Sequence, residues 1–180
     1  MYYKKSIAVL MICAALLTGC SNPVKNGTEF LEQKEYSQAV EAFDEAIEKW
    51  DGKEKYADAV AEAYRGKGIA YFEQKDYNNA KDAFLKALDE GTKQTGTIYN
   101  FLGICEMNLN NPAEAITYFQ QGTACEDATA ELIQEMEFNQ ISAYEQLKDW
   151  ESAKAKMAEY IAKYPEDSEA AREAEFLETR

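Results

Sequence analysis

The chain has no histidine, three prolines and only four valines (Val9, Val24, Val40 and Val60), and each shortage removes a class of protein. Without imidazole there is no general base of the usual kind, no common zinc ligand and no Ser-His or Cys-His pair. Few β-branched residues argue against a large sheet. Few prolines and nine glycines leave long stretches without a helix breaker. Clustered basic residues are also missing, and nucleic-acid binding needs them to displace counterions from phosphate. A glycine-rich phosphate loop is absent as well, because Gly66 and Gly68 fall inside a helical pattern and not after a strand. Carboxylate pairs such as Glu41 with Glu45, or Glu131 with Glu135, have the spacing of solvated helix surface. No catalytic residue, metal site or cofactor is therefore expected.

What is present favours helix. Ala, Glu, Lys and Gln abound, 46% of the 180 residues are hydrophobic and 29% are charged. That length suits one domain with a continuous core. The net charge of −14 keeps such a body soluble and repels it from anionic lipid, so the folded part should stand off a bilayer.

The first twenty residues have a different character. Lys4 and Lys5 precede an unbroken apolar run, Ile7 to Leu17, followed by Thr18-Gly19-Cys20. A basic start, a short apolar core and small residues at the end make a secretory signal. Eleven apolar residues fall well short of the roughly 20 needed to span a bilayer. Leu17-Thr18-Gly19-Cys20 resembles the bacterial lipobox, which implies cleavage before Cys20 and lipidation of its thiol. Several acyl chains, at about 0.8 kcal/mol per buried methylene, would hold such a protein on a membrane almost permanently. The implied location is extracytoplasmic, on the cell membrane or outer membrane; Ser21 is compatible with either. Cleavage would remove Lys4 and Lys5 and no acidic group, taking the net charge from −14 to −16. Cys13 would go too. Cys105 and Cys125 remain, read as buried small residues, with a disulfide left open.

Internal repetition governs the rest. Gly68, Tyr71, Ala80, Phe84 and Ala87 form a frame that Gly27, Phe30, Ala39, Phe43 and Ala46 repeat at identical offsets. Gly103, Glu106, Ala115, Phe119 and Gly122 form a third copy; Ile141, Tyr144, Ala153, Met157 and Tyr160 form a fourth, closed by Pro165. The four alanines lie 41, 35 and 38 residues apart. Small residues at the first and third positions let two helices approach, while Tyr71 and Phe84 fill the space between one helical pair and the next. A pair leaves an apolar face open, so neighbours must stack to bury it. Helices are expected over 23–34, 37–50, 54–74, 78–90, 96–109, 113–125, 128–147 and 150–163. Asn22 should cap the first, and Pro112 should open the sixth. After Pro165, Asp167-Ser168 can start a last helix with Ala170, Ala171, Ala174 and Leu177 on one face.

These residues resemble the tetratricopeptide repeat, whose period is about 34. The resemblance runs from Asn22 to Pro165 and implies an all-α, right-handed superhelical solenoid of about four hairpins. The expected organisation is a signal peptide (1–19), a lipidated tether (20–21), repeats over 22–52, 53–92, 95–127 and 128–165, and a capping helix (166–180). In this family the first helix of each pair lines a concave face. Counting from the packing residue, Arg65, Ile69, Phe72 and Glu73 would lie there in the second copy. Asn100, Ile104, Met107 and Asn108 would lie there in the third, and Phe138, Ser142, Glu145 and Gln146 in the fourth. Paired amide donors and acceptors beside apolar groups suit an extended peptide. Gly66 and Ile69 occupy places where chaperone-tail binders carry polar groups, which argues against that ligand. The resemblance thus implies a non-catalytic scaffold for a protein or peptide partner. A solute- or glycan-binding lipoprotein is the alternative, since twelve tyrosines and two tryptophans could stack on sugars. However, Tyr36, Tyr77 and Trp150 share one place in the frame and read better as packing.

Overall fold

Helix is what the composition favours, and the computed structural model, which describes residues 22–180, contains no strand among them. The described residues fall into two compact units, 22–94 and 95–180. Cys20 and the whole signal-like segment lie outside the described residues.

In the first unit α1 (Pro23–Glu32) and α2 (Tyr36–Trp50) form one hairpin. A short 3-10 turn (Glu54–Tyr56) leads into α3 (Ala57–Glu73), which pairs with α4 (Tyr77–Asp89). In the second unit α5 (Gly96–Asn108) pairs with α6 (Pro112–Thr123), and α7 (Ala130–Leu147) with α8 (Trp150–Lys163). The last helix, α9 (Ser168–Glu178), packs on α8. Asn22 caps α1 through Val24 N–H at 3.1 Å, and Pro112 stands at the start of α6, both as the sequence implied.

Each of the first three hairpins is locked by an aromatic ring set on a glycine. A Cβ added to Gly27 would sit 2.6 Å from the Phe43 ring, and one on Gly68 would sit 2.7 Å from Phe84. Gly103 meets Phe119 in the same way. Phe43 touches more than its own hairpin, because Gly66 of α3 also rests on its ring. The frame phenylalanine therefore fills the hairpin interior and, at Phe43, the joint to the next pair. Phe43, Phe84 and Phe119 are almost wholly buried. In the fourth copy Ile141 and Met157 replace glycine and ring, and both are in the core with Tyr160.

The four tight turns are built alike. Lys34, Lys75, Asn110 and Lys148 adopt left-handed backbone conformation, each seven residues after the frame's first position. In each turn the next N–H reaches back to the carbonyl of the frame's second residue: Glu35 to Phe30, Asp76 to Tyr71, Asn111 to Glu106 and Asp149 to Tyr144. This Schellman geometry satisfies carbonyls that a helix end would leave open. Asp76 and Asp149 then cap the following helices by accepting from Asn79 and Ser152 N–H.

Two expectations change in detail. The helix expected over 54–74 is interrupted, since Trp50 stacks on Tyr56 at 5.1 Å and turns the chain before α3 begins. On α9, Ala170 and Leu177 are buried and Ala174 partly so, but Ala171 is exposed. Asp167 ties this helix down. One carboxylate oxygen accepts from Glu169 and Ala170 N–H, and the other from the Tyr160 hydroxyl at 2.7 Å and Gln134 Nε2 at 3.3 Å.

Candidate functional site

The residues proposed for partner contact divide between the two units. In the first, Ile69 is buried, while Arg65 and Phe72 are half-buried. Arg65 forks onto Glu62 of its own helix, with Nε donating at 2.9 Å. Phe72 meets the edge of Tyr77 at 5.8 Å across the hairpin turn. Glu73 is exposed and accepts from the Tyr36 hydroxyl at 3.4 Å.

In the second unit the structure brings Asn100, Ile104 and Met107 onto one stripe of α5, spaced as one face of a helix requires. All three are buried. Asn100 donates through Nδ2 to Glu135 Oε1 of α7 at 2.9 Å, whereas its Oδ1 is buried without a partner. Asn108 is exposed, and its amide folds back onto the Ile104 carbonyl at 2.7 Å. On α7, Phe138 and Ser142 are buried, and Phe138 packs edge-on against Tyr160 at 5.5 Å. Gln146 reaches Asn110 Oδ1 at 3.0 Å, and its own Oε1 is buried and unpartnered. Glu145 is half-buried; burial first, and Glu173 of α9 second, push its carboxyl up to about 7.

Glu135 escaped the offset rule, which placed it with Glu131 on solvated surface. It is half-buried and orients Asn100. A signal existed: Glu62 and Glu135 both stand six residues before a packing position, and each accepts from a residue three before one. Cys105 is buried, Cys125 is half-buried, and both are thiols, which answers the open disulfide question.

A concavity of about 360 Å³ lies between α6, α7 and α8. It is polar, and its cations already have carboxylate partners: Lys163 binds Glu137 at 2.7 Å and Lys156 binds Glu159 at 2.7 Å. Among the described residues no group of His, Cys, Asp or Glu could hold a metal ion. No helix among them is long and apolar enough to cross a membrane.

With hairpins, turns and the α5–α7 face in view, comparison with known proteins defines the class. Sequence profiles of the tetratricopeptide repeat match residues 24–96 and 136–167. The chain is a tetratricopeptide-repeat protein. Among solved structures it resembles YrrB, a TPR protein with an unusual peptide-binding site, at TM-score 0.70 and 23% identity over 86% of this chain and 74% of that one. The first TPR of Spaghetti bound to an HSP90 peptide matches at TM-score 0.54 and 20% identity, covering 68% of this chain and 95% of that one. TTC0263, a thermophilic TPR protein of Thermus thermophilus, matches at 0.52 and 14% identity over 88% and 98% respectively. No curated protein sequence matches the chain.

Proposed function

We propose that this chain is a non-catalytic adaptor that holds a protein or peptide partner, tethered outside the bacterial cytoplasm by lipid on Cys20. Its main support is the stripe on α5, where Asn100 Oδ1 is buried without a partner beside Ile104 and Met107. Peptide-bound and peptide-binding structures of the same fold add weight. The absence of histidine from the whole sequence leaves hydrolytic chemistry without its usual base. The lipid anchor rests on the sequence Leu17-Thr18-Gly19-Cys20 alone.

Cross-linking and affinity capture from detergent-solubilised membranes test the adaptor reading. A specific partner should be recovered and should be lost when Phe72→Ala and Asn100→Ala are combined. Recovery unaffected by that double change counts against these two residues as partner contacts. For the anchor, mass spectrometry of the membrane form should find acyl chains on Cys20, and Cys20→Ala should release the protein to the soluble fraction. An unmodified Cys20 in membrane-bound protein would sink that part.

A further inference from the structure

We propose that the concavity between α6, α7 and α8 of the 95–180 unit binds a small neutral saccharide. This goes beyond the adaptor reading, and none of the lining residues is among those named for the partner.

The first observation comes from the repeat itself. In the first unit Asp44 of α2 and Lys67 of α3 form an ion pair at 2.5 Å between consecutive hairpins. Asp44 stands five residues after the frame alanine Ala39, and Lys67 stands one before the packing glycine Gly68. Gln120 of α6 and Gln140 of α7 hold the same two places, after Ala115 and before Ile141. Two neutral amides thus replace the ion pair, and they do not bond to each other. Neither side chain has a hydrogen-bond partner among the described residues, and both line the concavity. Gln120 is exposed, whereas Gln140 is only 6% exposed. An amide buried to that degree takes its donors and acceptors from whatever fills the space in front of it.

The second observation is the size and chemistry of that space. A volume of about 360 Å³ falls at the lower end of the range for small-molecule sites, and it far exceeds the roughly 30 Å³ of one bridging water. The charges of its wall cancel. Lys163 donates to both oxygens of Glu137, at 2.7 and 3.0 Å, and Lys156 donates to Glu159 at 2.7 Å. A ligand of net charge therefore meets no complementary excess there. Thr123 donates its hydroxyl to the Gln120 carbonyl at 3.0 Å and keeps acceptor capacity. A sugar hydroxyl is donor and acceptor at once, so two neighbouring hydroxyls match the two ends of an amide. A neutral peptide could match the amides too, but its side chains would find little apolar surface. Tyr160, the aromatic residue of the wall, is 2% exposed, and Asp167 holds its hydroxyl at 2.7 Å.

Isothermal titration calorimetry of the full-length chain, in a detergent without a sugar headgroup, tests this. The probes are N-acetylglucosamine, cellobiose and diacetylchitobiose, set against glucuronate, glucosamine and acetyl-triglycine amide. A neutral sugar should bind about tenfold more tightly than the charged sugars and the peptide, with little dependence on salt. Gln140→Ala and Gln120→Ala should each weaken it about tenfold. Because Gln120 is exposed, its variant decides the matter if Gln140→Ala fails to fold. Gln120→Asp combined with Gln140→Lys rebuilds the first unit's ion pair across the concavity. That double variant should lose binding, with circular dichroism unchanged and partner capture unaffected. The proposal is overturned if no neutral sugar binds, if a charged sugar or the peptide binds more tightly, or if the double variant keeps full affinity.

Discussion

Gly66 is the residue on which the first unit's packing turns. The Phe43 ring is 1% exposed and is touched by Gly27 on one helix and by Gly66 on another. A methyl group at position 66 would gain about 0.5–1 kcal/mol of helix propensity. It would also drive the ring towards Gly27, whose own Cβ position is already only 2.6 Å from it. Overpacking of that kind costs roughly 1–3 kcal/mol, so the clash wins. Gly66→Ala should lower stability in urea unfolding, and a smaller ring-site residue, Phe43→Leu, should recover part of the loss in the double variant. A neutral Gly66→Ala would mean that the ring has somewhere to go. At this scale the sequence was only half legible. Gly68 and Phe84 announced a contact by their place in the frame, but Gly66 has no counterpart in the other copies, where Lys25, Phe101 and Asn139 hold the position. The site suffered similarly. Fixed offsets located Asn100 and Gln146, yet which amide atom is satisfied depends on Glu135 and Asn110 from other segments.

Among the elements, the hairpin turn is the most regular. Lysine holds the left-handed position in three of the four turns, although a Cβ there costs about 1–2 kcal/mol and glycine none. Replacing lysine by glycine returns about 0.4–1 kcal/mol to the unfolded chain as entropy. The difference leaves a gain near 0.5 kcal/mol per turn, hence about 1.5 kcal/mol for Lys34→Gly, Lys75→Gly and Lys148→Gly together. A shift of the denaturation midpoint to higher urea checks this, with Lys75→Ala as the control that should give none. Asp167 works in the opposite sense. Its carboxylate caps α9 and also accepts from Tyr160 and Gln134, so Asp167→Ala should cost about 2 kcal/mol and free α9 first. Amide exchange would show α9 losing protection while α5 keeps it. Helix positions were readable from sequence to within about two residues because capping and periodicity both mark them. The 3-10 turn at Glu54–Tyr56 was not, since Lys53 to Tyr56 has ordinary helix propensity, and the bend there goes with left-handed backbone at Gly52 and the stacking of Tyr56 on Trp50.

For the whole molecule the decisive quantity is charge. A net charge of −14 makes the folded state repel itself at neutral pH, and acidification relieves this. Glu145 adds a specific contribution with the same sign. Its folded-state carboxyl titrates at about 7 against an ordinary 4.5, so the proton is bound more tightly when the chain is folded. The associated stability is complete below pH 4.5 and is lost as pH rises through 7. Glu131 and Asp149 oppose it at the acid end. A backbone N–H and the Thr129 side chain hold Glu131 below its usual range, and Ser152 does the same for Asp149 through its hydroxyl and N–H. Their contribution exists above the ordinary carboxylate range and is lost as pH falls below it. The thermal midpoint should therefore peak between about pH 5 and 6 and decline on both sides. Salt separates the two causes on the alkaline side. General repulsion between exposed carboxylates is screened at about 0.5 M salt, whereas the burial of Glu145 is not. In high salt the wild type should still lose stability from about pH 5 to 8, and Glu145→Gln should flatten that limb and raise the midpoint at the alkaline end by a few degrees. A wild-type midpoint that climbs steadily across the same range would mean that Glu145 is already ionised and solvated at neutral pH.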